Sequence, residues 1–207
     1  MSKFNWYRQI IDNKYSNWKN YEEAIKWFYF YREYIANEIA TLIWKPKTNN
    51  KKVLDIVAWT WIISEHLNTN WFKVTSMDLS NNFLKFIKNK KNDINCILSD
   101  MNKPFPFKND SFDYITTMGW NRYITWEWIK NLANESYRTL KDNWKLIFPI
   151  LLLECFLWRW KWIPFPAISS KIKPIFENSW FNVKKNFIAY NKITWIRQRP
   201  TYLVCKK

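Results

Sequence analysis

The 207-residue chain holds one glycine, Gly119, against 16 tryptophans. Average usage of about 7% predicts roughly 14 glycines at this length. Glycine is the residue that takes positive φ freely and lets backbone approach a ligand, so a literal reading leaves the chain without its usual turn chemistry. Cysteine is sparse as well. Cys96, Cys155 and Cys205 are isolated and odd in number, which argues against a disulfide scaffold or a zinc site and for buried cytosolic thiols; no metal is expected. Long apolar runs are missing too: the longest, Phe148 to Trp158, contains Pro149 and Glu154 and falls short of the ~20 residues a membrane span needs. Charges and asparagines punctuate the first residues, so no signal peptide is expected and the cytoplasm is the expected location. The lone His66 falls on the polar side of a helical pattern and is expected in solvent.

Basic residues, by contrast, are abundant, with 33 Lys and Arg against 17 Asp and Glu for a net charge of +16. That balance admits a nucleic-acid or anionic-surface partner. The lysines recur throughout, however, with only short clusters at Lys88 to Lys91 and Lys184-Lys185. A general lysine enrichment accounts for such a spread. Lys, Asn, Ile, Phe and Tyr usage suits an AT-rich gene.

The tryptophans stand in particular places. Trp71, Trp144 and Trp180 each follow a polar, helix-ending stretch and precede a strand-like run. They read as C′ positions, where a left-handed residue closes a helix and glycine is preferred. Trp59 and Trp61 lie where a strand should turn sharply into a helix. UGA is read as tryptophan in one variant code and as glycine in another. We therefore expect most tryptophans here to be glycines in the native polypeptide. UGG codons at 59, 61, 71, 144 and 180 would end that idea.

Apolar spacings of three and four from Tyr21 to Ile43 predict an amphipathic helix. The polar stretch Lys45 to Lys51, with Pro46, then marks a boundary, giving a helical extension or cap over residues 1–50 and a main domain over 51–207. From Lys52 strands and helices alternate. Strands are expected at Val53–Val57, Val74–Asp78, Ile94–Leu98, Phe112–Thr117 and from Lys145 to Phe148 and beyond. Helices carry Ile62, Ile63 and Leu67, then Phe83, Leu84 and Ile87 behind a Ser80 cap, then Ile129 to Leu140. A weaker helix near Ile168–Asn178 precedes strands around Val183–Tyr190 and Thr201–Val204. The alternation predicts an α/β fold: a Rossmann-like, seven-stranded, mostly parallel sheet with helices on both faces, and a C-terminal antiparallel hairpin added at its edge.

With glycine at 59 and 61 the first turn reads Asp55-Ile-Val-Ala-Gly-Thr-Gly. In this form the chain resembles the class I S-adenosylmethionine-dependent methyltransferases, in particular the small-molecule branch called type 11. Val57 departs from that pattern, standing where the first glycine is usual. The likeness continues in order. Asp78 follows Asp55 by 23 residues and ends the second strand. The run Asp100-Met-Asn-Lys-Pro-Phe-Pro-Phe-Lys-Asn-Asp-Ser-Phe-Asp113 is similar to D-x-x-x-L-P-F-x-x-x-S-F-D. Glu135-Ser-Tyr-Arg-Thr-Leu-Lys141 before Asp-Asn-Trp144 resembles E-x-x-R-V-L-K-P-G-G.

The resemblance implies S-adenosylmethionine as cofactor. It places Asp55, Val57, Trp59 and Trp61 at the cofactor turn, Asp78 and Leu79 at its ribose, and Asp100, Met101 and Met118 about its adenine. It also implies methyl transfer to a small-molecule acceptor by in-line displacement. The catalytic residues stay unknown; Arg122 and Tyr123, after the fourth strand, are substrate-side candidates. Each residue also has a plainer role: Asp78 and Asp100 as turn residues, Asp55 as a helix cap, and the methionines as packing. Three alternatives stay open. An RNA-directed methyltransferase suits the charge, although the fourth strand lacks the Asn/Asp-Pro-Pro-Tyr/Phe motif. An NAD-dependent oxidoreductase would read residues 59–64 as G-x-G-x-x-S. A non-catalytic Trp-rich binding module follows if the tryptophans are literal. The oligomeric state is not legible.

Overall fold

A computed structural model of the protein describes residues 29–43, 50–58, 62–91, 93–117, 126–150, 166–187 and 201–207. In chain order its elements are α1 (Tyr29–Leu42), β1 (Lys52–Ile56), α2 (Ile62–Thr69), β2 (Lys73–Asp78), α3 (Asn81–Lys90), β3 (Asn95–Leu98), β4 (Phe112–Thr117), α4 (Trp126–Thr139), β5 (Leu140–Ile150), α5 (Pro166–Asn178), β6 (Asn182–Phe187) and β7 (Thr201–Lys206). Local chemistry explains several of these boundaries. The Ser80 hydroxyl accepts the Phe83 N–H at 3.4 Å and caps α3, as expected of an N-cap serine. On α4, Trp128, Ile129, Leu132, Ala133 and Ser136 recur at helical spacing and are buried, so one stripe faces the sheet.

The seven strands form one sheet in the order β3-β2-β1-β4-β5-β7-β6. The pairs among the first five strands are parallel, and β7 runs antiparallel to both β5 and β6. The expected mostly parallel sheet with a late antiparallel pair is therefore present. The pair extends the β5 edge as expected, with β7 beside β5 and β6 outermost. Alternation along the strands splits the core between two faces. Val53, Val74 and Tyr114 pack with Ile39 of α1, Leu67 of α2 and Phe83 of α3. Leu54, Ile115 and Phe148 pack with Leu132 of α4 and Phe176 of α5. His66 is half-buried rather than fully in solvent, since α1 and α2 share the first of these cores.

Two further boundaries differ from expectation. Leu140 opens β5 instead of closing the preceding helix. Between Phe112↔Leu140 and Tyr114↔Lys145 the register shifts, so two steps on β4 face five on β5, a bulged insertion. The left-handed residue in that bulge is Asn143, with φ 66°, not Trp144. The Trp144 ring instead lies edge-on to Tyr114 at 4.9 Å, with Lys51 Nζ 4.1 Å from its centroid.

The amino-terminal end of the sheet is tied by charge. Asp113 accepts the Lys52 N–H at 2.8 Å and pairs with Lys141 at 3.1 Å. Lys207 Nζ reaches Asp110 at 2.7 Å and the Leu140 carbonyl at 2.8 Å.

Candidate functional site

The carboxyl ends of adjacent parallel strands carry the polar groups the sequence singles out, as in open α/β sheets generally. β1 ends at Ile56, and Val57 follows at φ 61° with its N–H donated to Met77 O at 2.9 Å. A β-branched residue in the left-handed region is a genuine outlier. It lies where the resemblance expects glycine, so the turn keeps glycine's geometry without the residue.

Asp78 closes β2 and is 4% exposed. Its Oδ1 accepts the Ser80 N–H at 2.8 Å, and its carbonyl accepts the Ser99 N–H at 3.0 Å, tying β2 to the segment after β3. Leu79 beside it is half-buried. Asp100 is half-buried; its Oδ1 accepts both the backbone N–H of Asn102 at 2.8 Å and that side chain's Nδ2 at 3.1 Å. Both aspartates thus also fill their plainer turn role, which fixes their carboxylates in place. Met101 is half-buried against the α4-side core. Trp59, Trp61, Met118, Arg122 and Tyr123 lie outside the described residues.

Asp55 meets the first turn of α2, where the hydroxyl and the backbone N–H of Ser64 both favour its ionised form. It sits within β1, 1% exposed, and accepts a short hydrogen bond at Oδ2 from the Ser64 hydroxyl of α2. Ser64 and Ser76 Oγ are 2.7 Å apart. When Asp55 is ionised Ser64's proton is committed to it, so Ser76 donates to Ser64. Cross-strand register places Ser76 on one side of Asp55 and Thr116 on the other. The result is a buried polar row just before the strand ends. Its unfilled acceptors stand out: Asp55 Oδ1, Thr116 Oγ1 and Thr117 Oγ1 are buried with no hydrogen-bond partner among the described residues. Burial pushes the Asp55 carboxyl up; the Ser64 hydrogen bond pulls it back and the Asp78 charge pushes it further, to about 7. Such buried oxygens ordinarily find partners, and a like-charged carboxylate neighbourhood attracts a cation. In the sequence Ser64 figures only in the alternative G-x-G-x-x-S reading, and Ser76, Thr116 and Thr117 stand in no site motif. Only the long-range register brings them together.

A second arrangement joins two motifs that looked separate in the sequence. Arg138 of α4 donates from Nη2 to Phe105 O at 3.0 Å and from Nη1 to Phe107 O at 2.8 Å. It also donates from Nη2 to Glu135 Oε2 at 2.6 Å. Glu135 Oε2 in turn accepts the Phe105 N–H at 2.6 Å. Burial pushes the Glu135 carboxyl up, but the hydrogen bonds from Arg138 and Phe105, with the Arg138 charge, outweigh it and hold it below the usual range. Asn131 Nδ2 donates to Met101 O at 2.6 Å and Lys103 O at 3.1 Å. One face of α4 therefore grips the whole segment from Met101 to Phe107. The E-x-x-R spacing was the signal that could have found this clamp.

Among the described residues, no group of three or more His, Cys, Asp or Glu side chains is placed to hold a metal ion, and no helix is long and apolar enough to cross a membrane. Residues 53–143 match the family described as "Methyltransferase domain". No curated protein sequence matches the chain.

Among solved structures, the fold is similar to a TehB-like SAM-dependent methyltransferase from Corynebacterium glutamicum. The TM-score is 0.66 at 15% identity, covering 92% of this chain and 100% of that one. It is also similar to a putative S-adenosyl-L-methionine-dependent methyltransferase from Methanococcus maripaludis, with TM-score 0.65, 15% identity, and 91% and 92% covered. A third is the putative methyltransferase from Haloferax volcanii solved in complex with a methyltransferase activator, at TM-score 0.67 and 14% identity, with 94% and 96% covered.

S-adenosylmethionine is a cationic sulfonium that carries an ammonium group and a ribose diol. Buried carboxylates and hydroxyls with unfilled acceptor capacity suit it chemically. With the matched segment spanning β1 to the β5 bulge and the expected sheet order in place, residues 53–143 carry a methyltransferase domain on the fold that S-adenosylmethionine-dependent methyltransferases share, which implies S-adenosylmethionine as its cofactor.

Proposed function

We propose that this enzyme methylates a small-molecule acceptor by in-line displacement. The single observation that carries the site assignment is the Asp55–Ser64–Ser76 row beside Asp78, a buried acidic nest whose Asp55 Oδ1 lacks a protein partner among the described residues. When bound, the cofactor supplies an electrophilic methyl group on its sulfonium. Asp78, held by the Ser80 N–H, accepts from the ribose hydroxyls, for which a carboxylate is well suited. Asp55 at the end of β1, with Val57, Trp59 and Trp61 after it, would hold its amino-acid end, and Leu79 would lie beside the ribose. Asp100, Met101 and Met118 serve the adenine, with α4 holding the Met101 carbonyl.

Most of the protein's contribution is to position the reactants and exclude water. Arg122 or Tyr123 orients the acceptor, and a proton acceptor is needed only where the acceptor must lose a proton. The absence of an Asn/Asp-Pro-Pro-Tyr/Phe sequence after β4 favours a small molecule over a nucleic-acid base. The net charge of +16 supports RNA-directed methylation as the second reading. We further propose that residues 1–50 act as a helical cap on the domain over 51–207 and that the enzyme works in the cytoplasm.

Calorimetric titration with S-adenosylmethionine, with NAD as control, tests the cofactor site; equal binding of Asp78→Ala and the parent chain would overturn the residue assignment. Incubation with methyl-labelled cofactor and host extract, split into small-molecule and RNA fractions, tests the acceptor. Label confined to RNA overturns the small-molecule reading.

A further inference from the structure

Two turns far apart in sequence share one unusual feature. Trp71 follows α2 with φ 71°, and Trp180 follows α5 with φ 71°. The Trp71 N–H donates to Asn68 O at 3.0 Å and the Phe72 N–H to Leu67 O at 3.2 Å. The Trp180 N–H donates to Glu177 O at 3.0 Å and the Phe181 N–H to Phe176 O at 3.2 Å. Bond for bond these are Schellman endings with tryptophan at C′. Each also has the accompanying apolar contact: Phe72 and Leu67 share one core cluster, and the Phe181 and Phe176 rings lie 6.1 Å apart.

The C′ residue sits in the left-handed region, where any Cβ crowds the following carbonyl and glycine alone escapes the penalty. Packing does not compensate for the tryptophans, since Trp71 is 71% and Trp180 82% exposed. The other described residues with positive φ make the contrast. Asn50, Asp110 and Asn143 belong to the two types that tolerate this region, leaving Val57 as the one further misfit. The indoles at 71 and 180 thus occupy positions whose backbone rejects them, in a chain with 16 Trp and one Gly.

We infer that the native polypeptide carries glycine at positions 71 and 180. The codon there is read as glycine by the organism's own translation system, and UGA is the codon with both readings. This inference stands on backbone geometry and composition alone.

Peptide mass spectrometry of the protein purified from its own host, covering residues 71 and 180, is the direct test. Glycine at both is expected; tryptophan at either overturns the inference. A second measurement isolates the physical cause in the tryptophan-containing chain. Trp71→Gly and Trp180→Gly are each expected to raise the melting temperature by about 2–4 °C, and the matching alanine variants to gain less, because alanine keeps the offending Cβ. Equal gains from glycine and alanine would trace the effect to the exposed indole and sink the backbone argument. Trp128 is buried within α4, so Trp128→Gly is expected to lower the melting temperature; a rise there would also count against the inference.

Discussion

Arg138→Ala is the sharpest perturbation of the clamp between α4 and the Met101–Phe107 segment. The guanidinium serves the carbonyls of Phe105 and Phe107, the Asn109 side chain at 3.0 Å and both oxygens of Glu135. Each hydrogen bond to a charged group contributes about 1.5–3 kcal/mol. The contributions are not additive, and the Arg138 side chain is partly exposed, so water replaces some of the lost partners. Truncation is expected to cost about 2–4 kcal/mol overall, or a fall of roughly 5–15 °C in melting temperature for a chain of this size. Arg138→Lys should recover less than half of that, because an ammonium cannot match the planar fork.

Thermal unfolding as a function of pH supplies the second readout. Glu135 has its folded-state carboxyl held below the ordinary range. Its stabilising contribution is therefore present above the ordinary carboxylate pKa and lost as pH falls through the folded value. Arg138→Ala should flatten that acid limb. A variant melting within one or two degrees (roughly 0.5 kcal/mol) of the parent, with an unchanged acid limb, would refute the clamp.

The polar row gives an opposite sign. Asp55 has its carboxyl raised to about 7, so its contribution to stability is present below the unfolded carboxylate value and lost as pH rises through about 7. Denaturant midpoints of Asp55→Asn should lack that slope; an identical slope would remove Asp55 as its source. In the same window S-adenosylmethionine should bind more tightly with rising pH, since a cation favours the ionised carboxylate, and titrations at several pH values would show a flat profile if Asp55 does not face it. Asn131→Ala removes two hydrogen bonds to the Met101–Lys103 backbone, each contributing about 1 kcal/mol. The expected loss of cofactor affinity is roughly tenfold, read by calorimetry against a folded control. Phe176→Ala, at a fully buried position beside Phe148, should cost about 3–5 kcal/mol in denaturant unfolding.

How much of this was legible beforehand depended on the range of the interaction. Periodicity located β4 at Phe112–Thr117 and the Ser80 cap because both are set by neighbouring residues. The position of β7 between β5 and β6 was not legible, since hydrogen-bonded neighbours across a sheet leave no local pattern. Trp144 looked like a helix-ending residue because Lys-Asp-Asn-Trp resembles a C-terminus. The chain instead enters a strand at Leu140 and places its left-handed turn at Asn143, a residue type suited to it. The candidate cofactor acids could be named from the family resemblance. The hydroxyls around Asp55 could not, because Ser64, Ser76 and Thr116 come near it only through an α2 contact and two strand registers.

The two ends of the sheet also differ in what they have left to give. At the amino-terminal end, Asp113 and Lys207 already fasten three strands and a bulge through internal ion pairs and hydrogen bonds. Among the described residues the opposite end retains unspent acceptors on Asp55, Thr116 and Thr117. A ligand that fills those acceptors adds its hydrogen bonds at one end of a sheet whose other end is already ion-paired.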